Sequence, residues 1–282
     1  MVIMERENDW FNNTYVVDEL QGAGQEKCSS LHTSLILQEN IANYSDKGCS
    51  VYVAFLDIRK AFDTTWIEGL LYKMIECGIN LKTLRLIGES YKQFQCAVII
   101  DGKQGEWFMP ERGVHQGSPL SMKIYQIFVN ELLQQLKSSP YALAVNGINI
   151  SVPSFADDIS TVTIYKSGLN HQLEIANNYS TKWKFDFSCT KSVWMLWGKD
   201  TSPNTKVMLG GHVLEKVESC KHMGITLSTN AFEEKISFEK RISAGRAPLL
   251  AARGLGSHAV PVGPNFIKTI LVYIYTQDVV WA

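Results

Sequence analysis

Three aspartates occupy positions that protein interiors ordinarily avoid. Asp157 and Asp158 lie side by side in Ser154-Phe155-Ala156-Asp157-Asp158-Ile159-Ser160, a stretch whose other members are apolar or hydroxylated. Asp57 ends the apolar run Val51-Tyr52-Val53-Ala54-Phe55-Leu56. Taking a carboxylate out of water is costly unless something positive neutralises it, and Mg²⁺, a hard cation that takes oxygen ligands, suits such a site. Three carboxylates meeting in space would form a two-metal centre for phosphoryl or nucleotidyl transfer. The loop Arg112-Gly113-Val114-His115-Gln116-Gly117-Ser118-Pro119-Leu120 adds a second reactive stretch. Its glycines let backbone approach a ligand, and Gln116 offers both a donor and an acceptor.

These residues need elements to carry them. Residues 51–56 read as a strand buried on both faces, delivering Asp57 at its C-terminal end. Residues 147–152 and 155–165 read as two strands around a tight turn at Pro153-Ser154. Asp157 and Asp158 then fall near a hairpin tip with side chains on opposite faces, and Asp157 is favoured as the main metal ligand. Asp63, before Thr64-Thr65, fits a helix cap. Helices are expected over 31–44 with Ser30 as N-cap, over 66–77 with Gly78 stopping it, over 81–94, and from Pro119 after a Ser118 N-cap. A hairpin turning at Asp101-Gly102 joins strands 96–100 and 106–109. A helix over 169–184 and a strand over 191–197 follow, then small strands around Gly210-Gly211 and over 222–227. Gln21-Gly22-Ala23-Gly24 reads as a simple glycine-rich loop.

Length and composition set the frame. The 282 residues suffice for a full core, and 45% hydrophobic with 20% charged residues excludes wholesale disorder. The net charge of -1 hides an asymmetry: residues 235–282 hold six Lys/Arg (Lys235, Lys240, Arg241, Arg246, Arg253, Lys268) against Glu239 and Asp278. A net of +4 there suits a phosphate backbone while the acidic centre suits metals. The six cysteines show no zinc spacing and read as reduced thiols of an intracellular protein, and no membrane-length apolar run is present. The chain stops inside the apolar run Val279-Val280-Trp281-Ala282, which reads as a fragment of something longer.

In this order the pieces resemble the reverse transcriptase domain of non-LTR (LINE-type) retrotransposons, from about Leu20 to Thr226. Ala54-Phe55-Leu56-Asp57-Ile58-Arg59-Lys60-Ala61-Phe62-Asp63 resembles the family's first palm motif and Gly113-Val114-His115-Gln116-Gly117-Ser118-Pro119-Leu120-Ser121 its second. Phe155-Ala156-Asp157-Asp158 resembles the metal-binding hairpin and Cys220-Lys221-His222-Met223-Gly224-Ile225 the primer grip. The resemblance implies an α+β right-hand polymerase fold: a palm of antiparallel sheet with helices packed on one face, over 51–228. Partial fingers would occupy 1–50 and a partial, truncated thumb 229–282. It implies an RNA-directed DNA polymerase that joins dNTPs to a DNA primer on an RNA template with two Mg²⁺ ions, Mn²⁺ being a possible substitute. In that scheme Asp57 and Asp157 bridge the ions and Asp158 completes or supports the set. Phe62 is the steric gate against a ribose 2′-OH, Gln116 and Gly117 contact the nucleotide, and Lys191 approaches the pyrophosphate. The chain departs from the family pattern at Gln25-Glu26-Lys27, where Lys27 stands in for an arginine, and at Met122, where relatives carry proline. Other classes built on these residues are an inactive or domesticated copy that only binds nucleic acid, another polymerase of the same palm, and a metal-dependent phosphohydrolase.

Overall fold

The computed structural model describes residues 17–25, 28–117, 119–145 and 147–230, Pro119 by its backbone alone. Lys27, Ser118 and the basic segment beyond residue 230 lie outside the described residues.

At the centre is β1 (Val51–Asp57), whose residues 51–56 are all buried as its apolar run requires. It pairs antiparallel with β7 (Asp158–Thr163) on one side and β8 (Val193–Trp197) on the other. β6 (Ser154–Phe155) extends the sheet beyond β7, and β11 (Glu215–Lys216) adds a parallel strand beside β8. Short hairpins outside this sheet include β2 (Cys96–Ile100) with β3 (Lys103–Phe108), β4 (Ala144–Val145) with β5 (Ile148–Asn149), and β9 (Met208–Leu209) with β10 (His212–Val213). The alternation along β1 sorts its side chains. Tyr52, Ala54 and Leu56 join the larger core with Phe128, Leu132 and Leu173. Val51, Val53 and Phe55 join a second core with Leu37, Ile41, Ile225 and Leu227.

The larger core is roofed by helices α3 (Ile67–Glu76), α4 (Leu81–Lys92), α5 (Pro119–Lys137) and α6 (Lys166–Trp183). Leu132, Leu133 and Leu136 on α5 and Leu169, Leu173 and Ala176 on α6 recur at helical spacing and are all fully buried. The second face is partly covered by α1 (Ser30–Asp46) and by the hairpin β12 (Ser219–His222) and β13 (Ile225–Ser228). Helices with a mostly antiparallel sheet match the expected α+β palm, although α1 also packs on the second face, which was expected to be free of helices.

Several boundaries differ from the sequence reading. The α1 N-cap is Ser29, which accepts from the His32 amide, one residue before the expected Ser30. Asp63 caps nothing: it sits inside the single-turn helix α2 (Ala61–Thr64), and α3 begins without a side-chain cap. The central hairpin turns at Ala156-Asp157 and not at Pro153-Ser154. Ser160 and Val162 donate backbone hydrogen bonds to Pro153 and Ser151, so the chain runs on past the proline without reversing.

Candidate active site

Register brings the acidic groups together. Asp57 and Asp158 are direct cross-strand partners, so both side chains start on one face of the sheet, the face that also carries Phe55 and Val162. Asp157 occupies the turn one residue earlier and not the strand face opposite Asp158. The end of β1 is fixed by its own hydrogen bonds: the Asp57 amide donates to Ser192 Oγ (3.0 Å) and its carbonyl accepts from the Ser188 amide (2.8 Å). Ser192 is fully buried, and the same tight turn brings the exposed Lys191 beside Asp57.

Asp57, Asp158 and Lys191 line a cleft of about 330 Å³ together with Ser219, Cys220 and His222 of β12. Loss of surrounding water pushes the Asp158 carboxyl up to about 6, with repulsion from Asp157 and Asp57 adding to it. About half of that side chain (52%) still faces the cleft, so solvent tempers the effect. Burial likewise raises Asp157, Asp57 contributing and a bond to its own backbone N–H opposing. The buried Tyr125 phenol is driven well above its ordinary range by burial and by the charges of Asp157 and Asp158. His222 is 6% exposed, its ring edge-on to Phe55 (centroids 4.7 Å), and its Nδ1 lies 3.9 Å from Asp158 Oδ1. Burial lowers its pKa to about 3, so a neutral imidazole stands beside Asp158.

The aspartates are thus adjacent, like-charged and joined to no lysine or arginine by a salt bridge among the described residues. A donor set of carboxylate oxygens, with those of Asp157 and Asp158 raised in proton affinity, is the chemistry a hard divalent cation fits. Among the described residues no three His, Cys, Asp or Glu side chains are gathered closely enough to hold an ion.

The other expected residues form a second group. Phe62 is half-buried and stacks on Tyr125, centroids 4.9 Å apart at 25°. The Val114 amide donates to the Phe62 carbonyl (2.7 Å), and Gln116 Nε2 donates to Asp63 Oδ1 (2.6 Å). This is where Asp63 finds its use: it ties the Gln116 loop to the end of the first motif. Gly113 makes the contact possible, since at φ +101 a Cβ there would come within 2.9 Å of the Asp63 carbonyl oxygen. Gln116 and Gly117 are both exposed. Phe62, Gln116 and Gly117 are therefore brought together through Tyr125 and Asp63, while Lys191 shares the cleft with Asp57 and Asp158.

Sequence reasoning passed over three residues here. Tyr125 falls among the apolar residues of α5 and carries no sign that its ring would stack on Phe62 while its phenol feels the charges of Asp157 and Asp158. His115 is held between Tyr91 (4.5 Å) and Phe94 (4.0 Å), fixing the loop that bears Gln116, and nothing in the spacing reveals it. Gln21 was hidden in a glycine-rich loop, yet its side chain bonds the backbone of Ala156.

Residues 13–227 match the family model described as reverse transcriptase (RNA-dependent DNA polymerase). The chain is 26% identical over 197 residues to the RNA-directed DNA polymerase from mobile element jockey of Drosophila melanogaster, covering 67% of this chain and 20% of that protein. It is 30% identical over 125 residues to a Pol polyprotein from the R2DM element of the same organism, covering 44% and 12%. The chain thus spans about a fifth or less of the length of these two curated relatives. Among solved structures, apo telomerase from Candida tropicalis superposes with a TM-score of 0.53 at 13% identity, over 81% of this chain and 38% of that one, a likeness of fold. With more than two thirds of its length inside the family model and its first and hairpin motifs meeting at the paired ends of β1 and β7, the chain belongs to the reverse transcriptase (RNA-dependent DNA polymerase) family, as a domain of the non-LTR retrotransposon type.

Proposed function

We propose that this domain is the catalytic core of an RNA-directed DNA polymerase, extending a DNA primer with dNTPs on an RNA template. The observation that carries the reading is the Asp57–Asp158 cross-strand pair with Asp157 on the adjoining turn, in a chain of this family. Asp57, Asp157 and Asp158 would hold two Mg²⁺ ions, with Mn²⁺ able to replace them. Such ions, when bound, lower the pKa of the attacking 3′-hydroxyl and neutralise charge on the triphosphate. The chain's own residues position the reactants. Phe62, backed by Tyr125, presents an aromatic wall where a sugar would lie. Gln116, once released from Asp63, has a donor and an acceptor for the nucleotide, and Gly117 gives backbone access. Lys191, exposed on the rim beside Asp57, supplies a positive charge for departing pyrophosphate.

Primer extension on poly(rA)/oligo(dT) with Mg²⁺ tests the reading. We expect dTTP incorporation by the wild type and its loss in Asp57→Asn. Absent incorporation with RNA binding retained would leave a nucleic-acid-binding copy. Phosphate release without primer would point to a phosphohydrolase, a class that the family membership does not favour.

A further inference from the structure

Ala156 precedes the acidic pair and is the first residue of the two-residue turn between β6 and β7. Its φ is +56, and Asp157 is not in the positive-φ region, so only the first turn position needs it, a demand usually met by glycine. An alanine there must be held. Gln21, 1% exposed, does this through its side-chain amide. Oε1 accepts from the Ala156 N–H (2.7 Å) and also from the Ala23 N–H (3.2 Å), while Nε2 donates to the Ala156 carbonyl (3.0 Å). Both backbone groups of one turn residue are thus gripped by one planar side chain.

The surrounding backbone makes that grip stiff. Ser154 N–H donates to the Leu20 carbonyl (2.9 Å) and Gly22 N–H to the Ser154 carbonyl (2.8 Å), so residues 20–22 bridge to β6 like a short parallel strand. Gly22 permits this approach, because a Cβ there would run into Thr33 Oγ1 and touch the Phe155 ring. Gln25 Nε2 donates to the Gln21 carbonyl (2.6 Å), and Gln126 of α5 donates to the Ala23 carbonyl. From these contacts we infer that Gln21 is a positioning residue, fixing the turn so that Asp157 is presented to the metal site beside Asp57 and Asp158.

The inference rests on the proposed polymerase site, and its test separates the two. Gln21→Met keeps most of the side-chain volume and removes all three hydrogen bonds. Three readouts apply: amide exchange at Ala156, Mn²⁺ binding by electron paramagnetic resonance, and primer extension. The expected result is loss of protection at Ala156, Mn²⁺ affinity reduced severalfold, and kcat lowered roughly 10–100-fold with the KM for dNTP little changed, since small misplacements at reacting centres cost about that much. Adding Ala156→Gly to Gln21→Met should restore part of both losses, because glycine tolerates positive φ without support. A folded Gln21→Met with wild-type Mn²⁺ affinity and kcat overturns the inference, as does a double variant no better than the single one. Should Gln21→Met not fold, Gln21→Asn, one methylene shorter, is read by the same two criteria. A wild type that binds Mn²⁺ yet extends no primer refutes the polymerase reading, while the Mn²⁺ comparison still decides the role of Gln21.

Discussion

The Asp158 carboxyl is where the chemistry is easiest to follow at the level of single residues. Its folded pKa of about 6 stands above the ordinary 3.8, so the folded chain binds this proton more tightly than the unfolded chain. Stability from this group is therefore gained as pH falls from 6 toward 3.8 and is absent above 6. Metal-free wild type should gain thermal midpoint relative to Asp158→Asn between pH 7 and pH 5, by a modest amount because half the side chain meets solvent. Parallel curves for the two proteins would contradict the shift. Mg²⁺, which favours the ionised form, should remove the gain. Phe62 gives a second prediction at this scale. Phe62→Val should raise kcat/KM for ribonucleotides relative to deoxyribonucleotides, and steady-state kinetics with rUTP and dTTP reads it directly. The lost stacking on Tyr125 should also cost about 1 kcal/mol or more of stability, seen in denaturant melts.

Among elements, the loop of Gly113 to Gly117 ahead of α5 and the hairpin between β6 and β7 do the positioning. Gly113→Ala would place a methyl group against the Asp63 and Phe62 carbonyls at a positive φ. The expected cost is about 1–3 kcal/mol in a urea melt, with a raised KM for dNTP as the Gln116 loop shifts. An unchanged melt would show that the loop is not anchored there. These two elements also mark how far the sequence could be read. The strand ending in Asp57, the helices α3 to α6 and the hairpin at Asp101-Gly102 followed from periodicity and turn chemistry, because local signals and tertiary packing agree at those places. The central turn did not. Turn rules favour Pro153-Ser154, and only the distant amide of Gln21 makes an alanine serve in place of a glycine at position 156. The role of Asp63 is hidden for the same reason: its partner Gln116 lies 53 residues away, and a cap is the nearest local use for such a side chain.

For the whole molecule, the sheet carries Asp57 and Asp158 on one face at neighbouring strand ends, with α5 and α6 behind it and the cleft in front. Nearness in space, set by the pairing of β1 with β7, is what turns separated motifs into one site. A cation bound across those strand ends should join them, so Mg²⁺ ought to raise the thermal midpoint of the domain, and Asp57→Asn should abolish the increase. The identity of the bound groups is more telling than stability. The most direct measurement is an anomalous-difference map from a crystal of the domain with Mn²⁺, template, primer and dNTP. The account predicts metal peaks within coordination distance, about 2.0–2.2 Å, of carboxylate oxygens from both Asp57 and the Asp157-Asp158 pair. Peaks bound to one strand alone, or none at these residues, would contradict it.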